Sequence, residues 1–249
     1  MESKTKIKRV KIVNVPVDVV HEDELEETIK AMLADGDRHQ IVLLTLADLL
    51  KARHNAEMKR TIKEASLVVP VSKGILRGAR FLHREPPVRY MPFEFVIRLL
   101  GILEKYKKSV YLLGSRPEDL QISASNLRAS FPSLSIVGRC AGYYPKNMEK
   151  NIILAIRKAG PSLVLAGYGL PARDTWVANN KRNLSAGIYL WCGDCFDIFS
   201  GRRNKPSRAA WENGTESLPS LVSHPWRVYR GLSYLYYAIL LVVHRLRRL

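Results

Sequence analysis

The chain has 249 residues, 47% hydrophobic and 25% charged, enough for one sizeable core with or without an appendage. Its 40 Lys and Arg against 23 Asp and Glu give a net charge of +17, which favours phosphate-rich partners: nucleic acid, anionic lipid or a nucleotide diphosphate. The three cysteines, Cys140, Cys192 and Cys195, are too few for a disulfide framework, no signal peptide is evident, and no apolar run reaches the ~20 residues of a spanning helix, so a cytoplasmic setting is expected.

In chain order, residues 9–20 read as a first strand and turn, and the acidic run at 23–27 opens a helix ending near Gly36. The run QIVLL at 40–44 is a buried strand leading into Thr45, and residues 48–64 have helical spacing. A strand at 66–70, a loop and helix at 71–82, a break at the REPP of 84–87 and a helix at 91–105 follow. Next come a strand at 109–113 stopping at Gly114-Ser115, a helix at 117–130, a strand at 134–138, a Gly142-Tyr143-Tyr144 loop and a helix at 147–159. Two further apolar runs, SLVLAGYGLP at 162–171 and AGIYLWCGDCFDIFSG at 186–201, each end in glycine and polar side chains.

This alternation predicts an α/β fold, a doubly wound, mostly parallel, Rossmann-like sheet with helices on both faces. Composition changes near Gly201: residues 202–249 carry nine Lys and Arg against two acids. The expected division is therefore a core over 1–201 and a basic C-terminal appendage over 202–249.

Ligands of open α/β sheets bind beyond the C-terminal strand ends, which makes Gly167, Gly169, Pro171, Arg173, Asp174, Gly193, Asp194 and Asp197 candidates. Glycines at strand ends, Gly114 among them, let phosphate or sugar approach the backbone, although tight turns explain them equally well. Neither a G-x-G-x-x-G fingerprint nor a P-loop occurs. The Cys192-Gly193-Asp194-Cys195 run has thioredoxin-like spacing, but thioredoxin domains place that motif early with further strands after it; two small residues lining a strand end is the better reading. Arg202, Arg203, Lys205 and Arg208 are candidates to clamp a diphosphate, against the plainer reading of a solvated face. No second ligand pair for zinc and no Asp-x-Asp at a strand end is found, so no metal is expected. Nucleic acid is not expected either, since the basic runs lack aromatic interleaving and no recognised motif occurs. The tail LSYLYYAILLVVHRLRRL sets tyrosines at one end of an apolar run and arginines at the other, which suits the headgroup layer of an anionic membrane; a helix docked on the core is the alternative.

Taken in order, these pieces resemble the WecG/TagA/CpsF glycosyltransferases. The resemblance covers about residues 9–231 and rests on Leu112-Leu113-Gly114-Ser115, Gly142-Tyr143-Tyr144 and 169–176 (family pattern G-x-P-x-Q-E-x-W). It continues through Gly193-x-x-Phe196-Asp197-x-x-x-Gly201, Arg208-Ala209-Ala210-Trp211 (family R-A-P-x-W) and 225–230. It implies transfer of an N-acetylmannosamine-type sugar from a UDP-sugar to a polyprenyl-diphosphate-linked acceptor at the inner face of the cytoplasmic membrane. Implied roles place acceptor or donor sugar at Thr45 and the nucleotide side at Gly114, Ser115, Gly142, Tyr143 and Gly169. Pro171, Arg173, Gly193 and Asp197 are further substrate-binding candidates, and Arg208, Arg227 and Arg230 would neutralise diphosphate in place of a metal. The departures are as informative. The family's T-x-N is Thr45-Leu46-Ala47, its P-D-G is Pro70-Val71-Ser72, its Q-E is Arg173-Asp174, and the arginine of its E-W-x-x-R segment is Ser220. The aspartate of P-D-G is the family's proposed general base, and valine cannot take a proton. Either another carboxylate serves, with Asp174, Asp194 and Glu94 the candidates, or the chain binds UDP-sugar or lipid without turnover. A homo-oligomer is left open.

Overall fold

The computed structural model describes residues 7–214 and 229–247. An antiparallel hairpin comes first, β1 (Lys8–Ile12) and β2 (Val15–Val19), joined by Val13 and Asn14. Both turn residues have positive φ, the geometry of a two-residue type I′ turn, whose twist matches that of the paired strands.

Six strands form one parallel sheet in the order β4-β3-β8-β7-β5-β6. They are β3 (Arg38–Leu44), β4 (Leu67–Pro70), β5 (Ser109–Leu113), β6 (Ser135–Cys140), β7 (Leu163–Gly167) and β8 (Gly187–Gly193). Strands this apolar are buried on both faces, and the side-chain alternation divides them between layers. Ile41 and Leu43 of β3 meet α1 (Leu25–Ala34), α5 (Pro92–Lys105), α6 (Pro117–Ser130) and α9 (Cys195–Phe199). Val42 and Leu44 face the hairpin, α2 (Leu46–Lys51), α3 (Ala56–Glu64) and α4 (Lys73–Phe81). At the other end of that second face lie α7 (Glu149–Ala159) and α8 (Arg173–Asn180).

The helix expected over 48–64 is two helices. Asn55, in extended conformation, accepts the Met58 N–H through its side chain at 2.7 Å and starts α3 afresh. After β8 the chain forms α9 and then α10 (Arg208–Asn213), and α11 (Tyr229–Leu246) closes the described residues.

On α11, Tyr237 and Leu241 are buried against α2 and α4. A Cβ on Gly78 of α4 would overlap the Tyr237 hydroxyl, so glycine is what lets the two helices touch. Leu232, Leu235, Ile239, Val242 and Leu246, at helical spacing, form an exposed apolar stripe, Leu232 being 67% and Leu246 65% accessible. The tail thus docks on the core with one face and presents a second apolar face outward. Among the described residues no helix is long and apolar enough to cross a membrane.

Candidate functional site at the C-terminal edge of the sheet

All six parallel strands end on one edge, and the glycines at or just after the ends of β5, β6, β7 and β8 lie there together with Thr45 at the end of β3. At the end of β3, Thr45 caps α2: its hydroxyl accepts the Asp48 N–H at 3.1 Å and donates to the Asp48 carboxylate at 2.5 Å. Ser72, after β4, accepts the Leu46 N–H through its hydroxyl at 3.0 Å and ties the two neighbouring loops together. Val71 is buried, and Arg89 donates to its carbonyl at 2.9 Å. The same guanidinium stacks on Trp211 at 3.4 Å and donates to the Trp211 carbonyl, while Lys73 donates to the Glu212 carbonyl at 2.6 Å. Helix α10 therefore sits over the end of β4, beside the position where the family pattern has its aspartate.

The loops after β5, β6 and β7 are joined backbone to backbone. Gly114 N donates to Cys140 O at 2.8 Å, Ser115 N to Tyr168 O at 2.6 Å, Gly142 N to Ser115 O at 2.9 Å and Tyr143 N to Gly169 O at 2.9 Å. A Cβ on Gly142 would lie 2.7 Å from Tyr168 O, and one on Gly169 would lie 2.7 Å from Tyr143 N. The glycines are needed here so that three loops can pack on one another, and the positive φ of Gly114 and Gly169 belongs to the same arrangement. Ser115 is buried within it, whereas Tyr143 stands out, 67% accessible. Tyr168, partly exposed, packs edge-on against Trp191 at 5.8 Å, and the Arg173 guanidinium lies 5.2 Å from the Trp191 ring. Arg173 itself has φ of 48°, a strained backbone for a non-glycine residue, and Pro171 just before it is exposed.

At the end of β8, Gly193 turns the chain into α9 with Asp194 at the helix cap. Asp194 is half-buried and pairs with Arg203 at 2.5 Å. Buried Asp197 and Asp119 bracket Arg202 at 2.8 and 3.2 Å. Two of the residues that the sequence offered for a diphosphate clamp, Arg202 and Arg203, therefore neutralise carboxylates of the chain itself. Arg208 is exposed and pairs with Glu212 one turn on. Glu94 is exposed on the first turn of α5. Cys192 and Cys195 are both buried, and the contact with Cys192 together with burial pushes the Cys195 thiol well up, the opposite of an activated thiolate. Among the described residues no three His, Cys, Asp or Glu side chains converge as a metal site. Arg227 lies outside the described residues, as does Ser220, and Arg230 falls on the first turn of α11.

Asp174 has the most unusual environment of the candidates. It lies in the first turn of α8, is 3% exposed, and its Oδ1 has no hydrogen-bond partner among the described residues. The Gln40 side chain of β3 donates to its carbonyl at 2.8 Å, holding α8 against the strand. Burial, with the negative charge of Asp48 adding to it, pushes the Asp174 carboxyl from 3.8 up to about 8. A carboxyl raised to neutral pH by burial and a second carboxylate is the arrangement used to place a proton acceptor near its operating pH. Asp48 escaped the sequence reading. Its spacing from Thr45, a threonine followed three residues later by an acid, was the available signal, but that pattern reads as a helix cap, and only the crossing of α8 brings Asp48 and Asp174 into one electrostatic unit.

Thr45 and Asp48 thus form one hydrogen-bonded pair at the end of β3, with buried Asp174 within electrostatic reach of Asp48; Tyr168, Arg173, Trp191, Asp194 and Arg203 form a second group and the three joined glycine loops a third. The profile of the WecG/TagA/CpsF glycosyl transferase family matches residues 10–249. Over 179 residues the chain is 23% identical to the N-acetylglucosaminyldiphosphoundecaprenol N-acetyl-beta-D-mannosaminyltransferase of Bacillus subtilis (strain 168), covering 72% of this chain and 69% of that one. It is 20% identical over 208 residues to the protein of the same name from Staphylococcus aureus (strain NCTC 8325 / PS 47), covering 82% and 81%. With the match running from the hairpin through α11, the chain belongs to the WecG/TagA/CpsF family of glycosyltransferases.

Proposed function

We propose that this glycosyltransferase moves an N-acetylmannosamine-type sugar from a UDP-sugar to a polyprenyl-diphosphate-linked N-acetylglucosamine, and that Asp174 supplies the proton acceptor absent at Val71. The observation that carries the reading is the Asp174 carboxyl: buried, unpartnered at Oδ1 and pushed to about 8 beside Asp48. The relatives named for this transfer support the substrate class.

In the proposed step the acceptor hydroxyl oxygen bonds to the anomeric carbon, the bond from that carbon to the UDP phosphate oxygen breaks, and UDP leaves with the bonding pair. The hydroxyl proton passes to Asp174. Thr45, fixed through Asp48, orients the sugar hydroxyls, and Asp194 with its Arg203 partner faces the same edge as a further polar contact. The joined loops of Gly114, Ser115, Gly142, Tyr143 and Gly169 receive the nucleotide, with the exposed Tyr143 ring offering a stacking face to uracil. Arg208, Arg227 and Arg230, carried on the basic appendage, neutralise the leaving diphosphate in the role a metal would otherwise fill.

The exposed apolar stripe of α11 lies in the headgroup layer at the inner face of the cytoplasmic membrane and brings the edge of the sheet to its lipid-linked acceptor. A second reading, UDP-sugar binding without turnover, draws on Val71, where the Arg89 cation stands beside the backbone that bears the family's aspartate.

Purified full-length protein incubated with labelled UDP-N-acetylmannosamine and polyprenyl-diphosphate-linked N-acetylglucosamine is expected to form product, with Asp174→Asn lowering turnover by about 10²–10⁴. Product from no UDP-N-acetylhexosamine, with UDP binding intact, would establish the second reading. Equal turnover by the wild type and Asp174→Asn would remove Asp174 from the mechanism.

A further inference from the structure

We propose that the basic groove between the hairpin and helices α2 and α3 is a binding site for the phosphate headgroup of an anionic membrane phospholipid, separate from the site at the sheet edge. The groove encloses about 690 Å³, within the range of small-molecule pockets, and among the described residues no acidic one lines it. Its cations are Arg9 and Lys11 from β1, Arg53 just after α2, and Lys59 and Lys63 from α3. Arg9 is already committed: it bonds the buried Asp18 carboxylate at 2.6 and 2.8 Å and the Ala65 carbonyl at 2.9 Å. Lys11, Arg53, Lys59 and Lys63 are exposed and have no ion pair among the described residues. Four cations with no ion pair among the described residues repel one another around one concavity, and an anion bound among them relieves that repulsion.

The floor and walls are apolar, with Val13, Val15, Ala52 and Ile62 buried beneath the cationic rim. An anion with carbon attached to it, a phosphate ester of glycerol, matches this lining better than a fully hydrated inorganic ion does. Position selects the membrane as the source. His54, next to Arg53 on the rim, bonds the Tyr236 hydroxyl of α11 at 3.2 Å, so the groove adjoins the helix whose outer face is apolar. Arginine and lysine at a membrane surface each add attraction to anionic lipid. The inference rests on the reading that α11 lies on the membrane, and adds a headgroup contact that its apolar stripe does not provide.

Partition of the full chain onto vesicles of phosphatidylcholine alone, and of phosphatidylcholine with phosphatidylglycerol, tests it. The quadruple variant Lys11→Gln, Arg53→Gln, Lys59→Gln, Lys63→Gln changes only exposed side chains, and its circular dichroism and melting should match wild type. At about fivefold per charge, this variant is expected to lose several hundredfold of the preference for phosphatidylglycerol while binding phosphatidylcholine as wild type does. An undiminished preference would overturn the proposal. So would calorimetric binding of inorganic phosphate that the four substitutions abolish while vesicle partition stays unchanged, since the groove would then serve a soluble anion. A separate variant, Leu235→Ser with Ile239→Ser, isolates the helix: wild-type partition there refutes the membrane reading of α11, whereas loss on both vesicle types upholds it independently of the groove.

Discussion

Replacing Asp174 with asparagine should make the protein more stable and less active, and the gain in stability should depend on pH in a specified way. The folded carboxyl titrates near 8 and the unfolded one near 3.8. Because the folded value is the higher, stability is undiminished by this group below pH 4, falls as pH rises, and reaches its full loss above pH 8. Each pH unit in that window costs ~1.36 kcal/mol, so at pH 7 the carboxyl destabilises the fold by ~4 kcal/mol relative to its value at pH 4. The group is 3% exposed, so solvent screening does little to reduce this figure. Asparagine is nearly isosteric and neutral throughout. Urea unfolding of both proteins from pH 4 to pH 9 should show their difference near zero at pH 4 and growing to several kcal/mol at pH 8, while turnover of the variant falls. A difference that stays flat across this range would show that Asp174 titrates as an ordinary carboxylate, and the reason for assigning it the proton would be gone.

Three further substitutions probe other parts of the structure. Gly78→Val places a side chain where the Tyr237 hydroxyl sits; it should detach α11 from α4, leave the melting of the sheet domain little changed, and weaken vesicle partition, whereas unchanged partition would mean that docking of the helix is irrelevant to membrane binding. Gly169→Ala combines a φ of +93° with a Cβ 2.7 Å from Tyr143 N; about 1–3 kcal/mol of destabilisation is expected, with weaker UDP binding in calorimetry, and full binding would separate the joined loops from the nucleotide. Val71→Asp restores a carboxylate beside Arg89; raised turnover, or rescue of Asp174→Asn, is the expected result, and no change in either background would show that Asp174 does not substitute for it.

Much of the fold could be read from the chain. The apolar runs that begin at 40, 66, 109 and 162 supply the parallel strands β3, β4, β5 and β7, because segments buried on both sheet faces have no need of polar alternation. The break between α2 and α3 went unread because Asn55 and its cap are a local device inside continuous helical spacing. In the candidate site, Gly114, Gly142, Gly169 and Gly193 follow or close strands on one edge of the sheet, as the apolar runs before them imply, whereas Asp174 lies deeper, buried in α8 with its carbonyl on Gln40 of β3. Their particular duties were not legible. That the glycines at 114, 142 and 169 serve contacts between loops depends on three strands lying side by side, and that Arg202 and Arg203 are occupied by Asp119, Asp197 and Asp194 depends on α6 packing against α9.

By itself the sequence determined the layered α/β architecture, the residues that stand at strand ends, the family resemblance and the loss of the family carboxylate at Val71, because hydrophobic period and motif order are properties of the chain taken one segment at a time. Only the tertiary structure decided the insertion of β8 between β3 and β7, the meeting of Asp48 with Asp174, and the two apolar faces of α11. A carboxyl's proton affinity is set by the water and charge that other segments remove or bring, and a helix face is buried or exposed according to what packs on it. Neither quantity belongs to the residue that displays it.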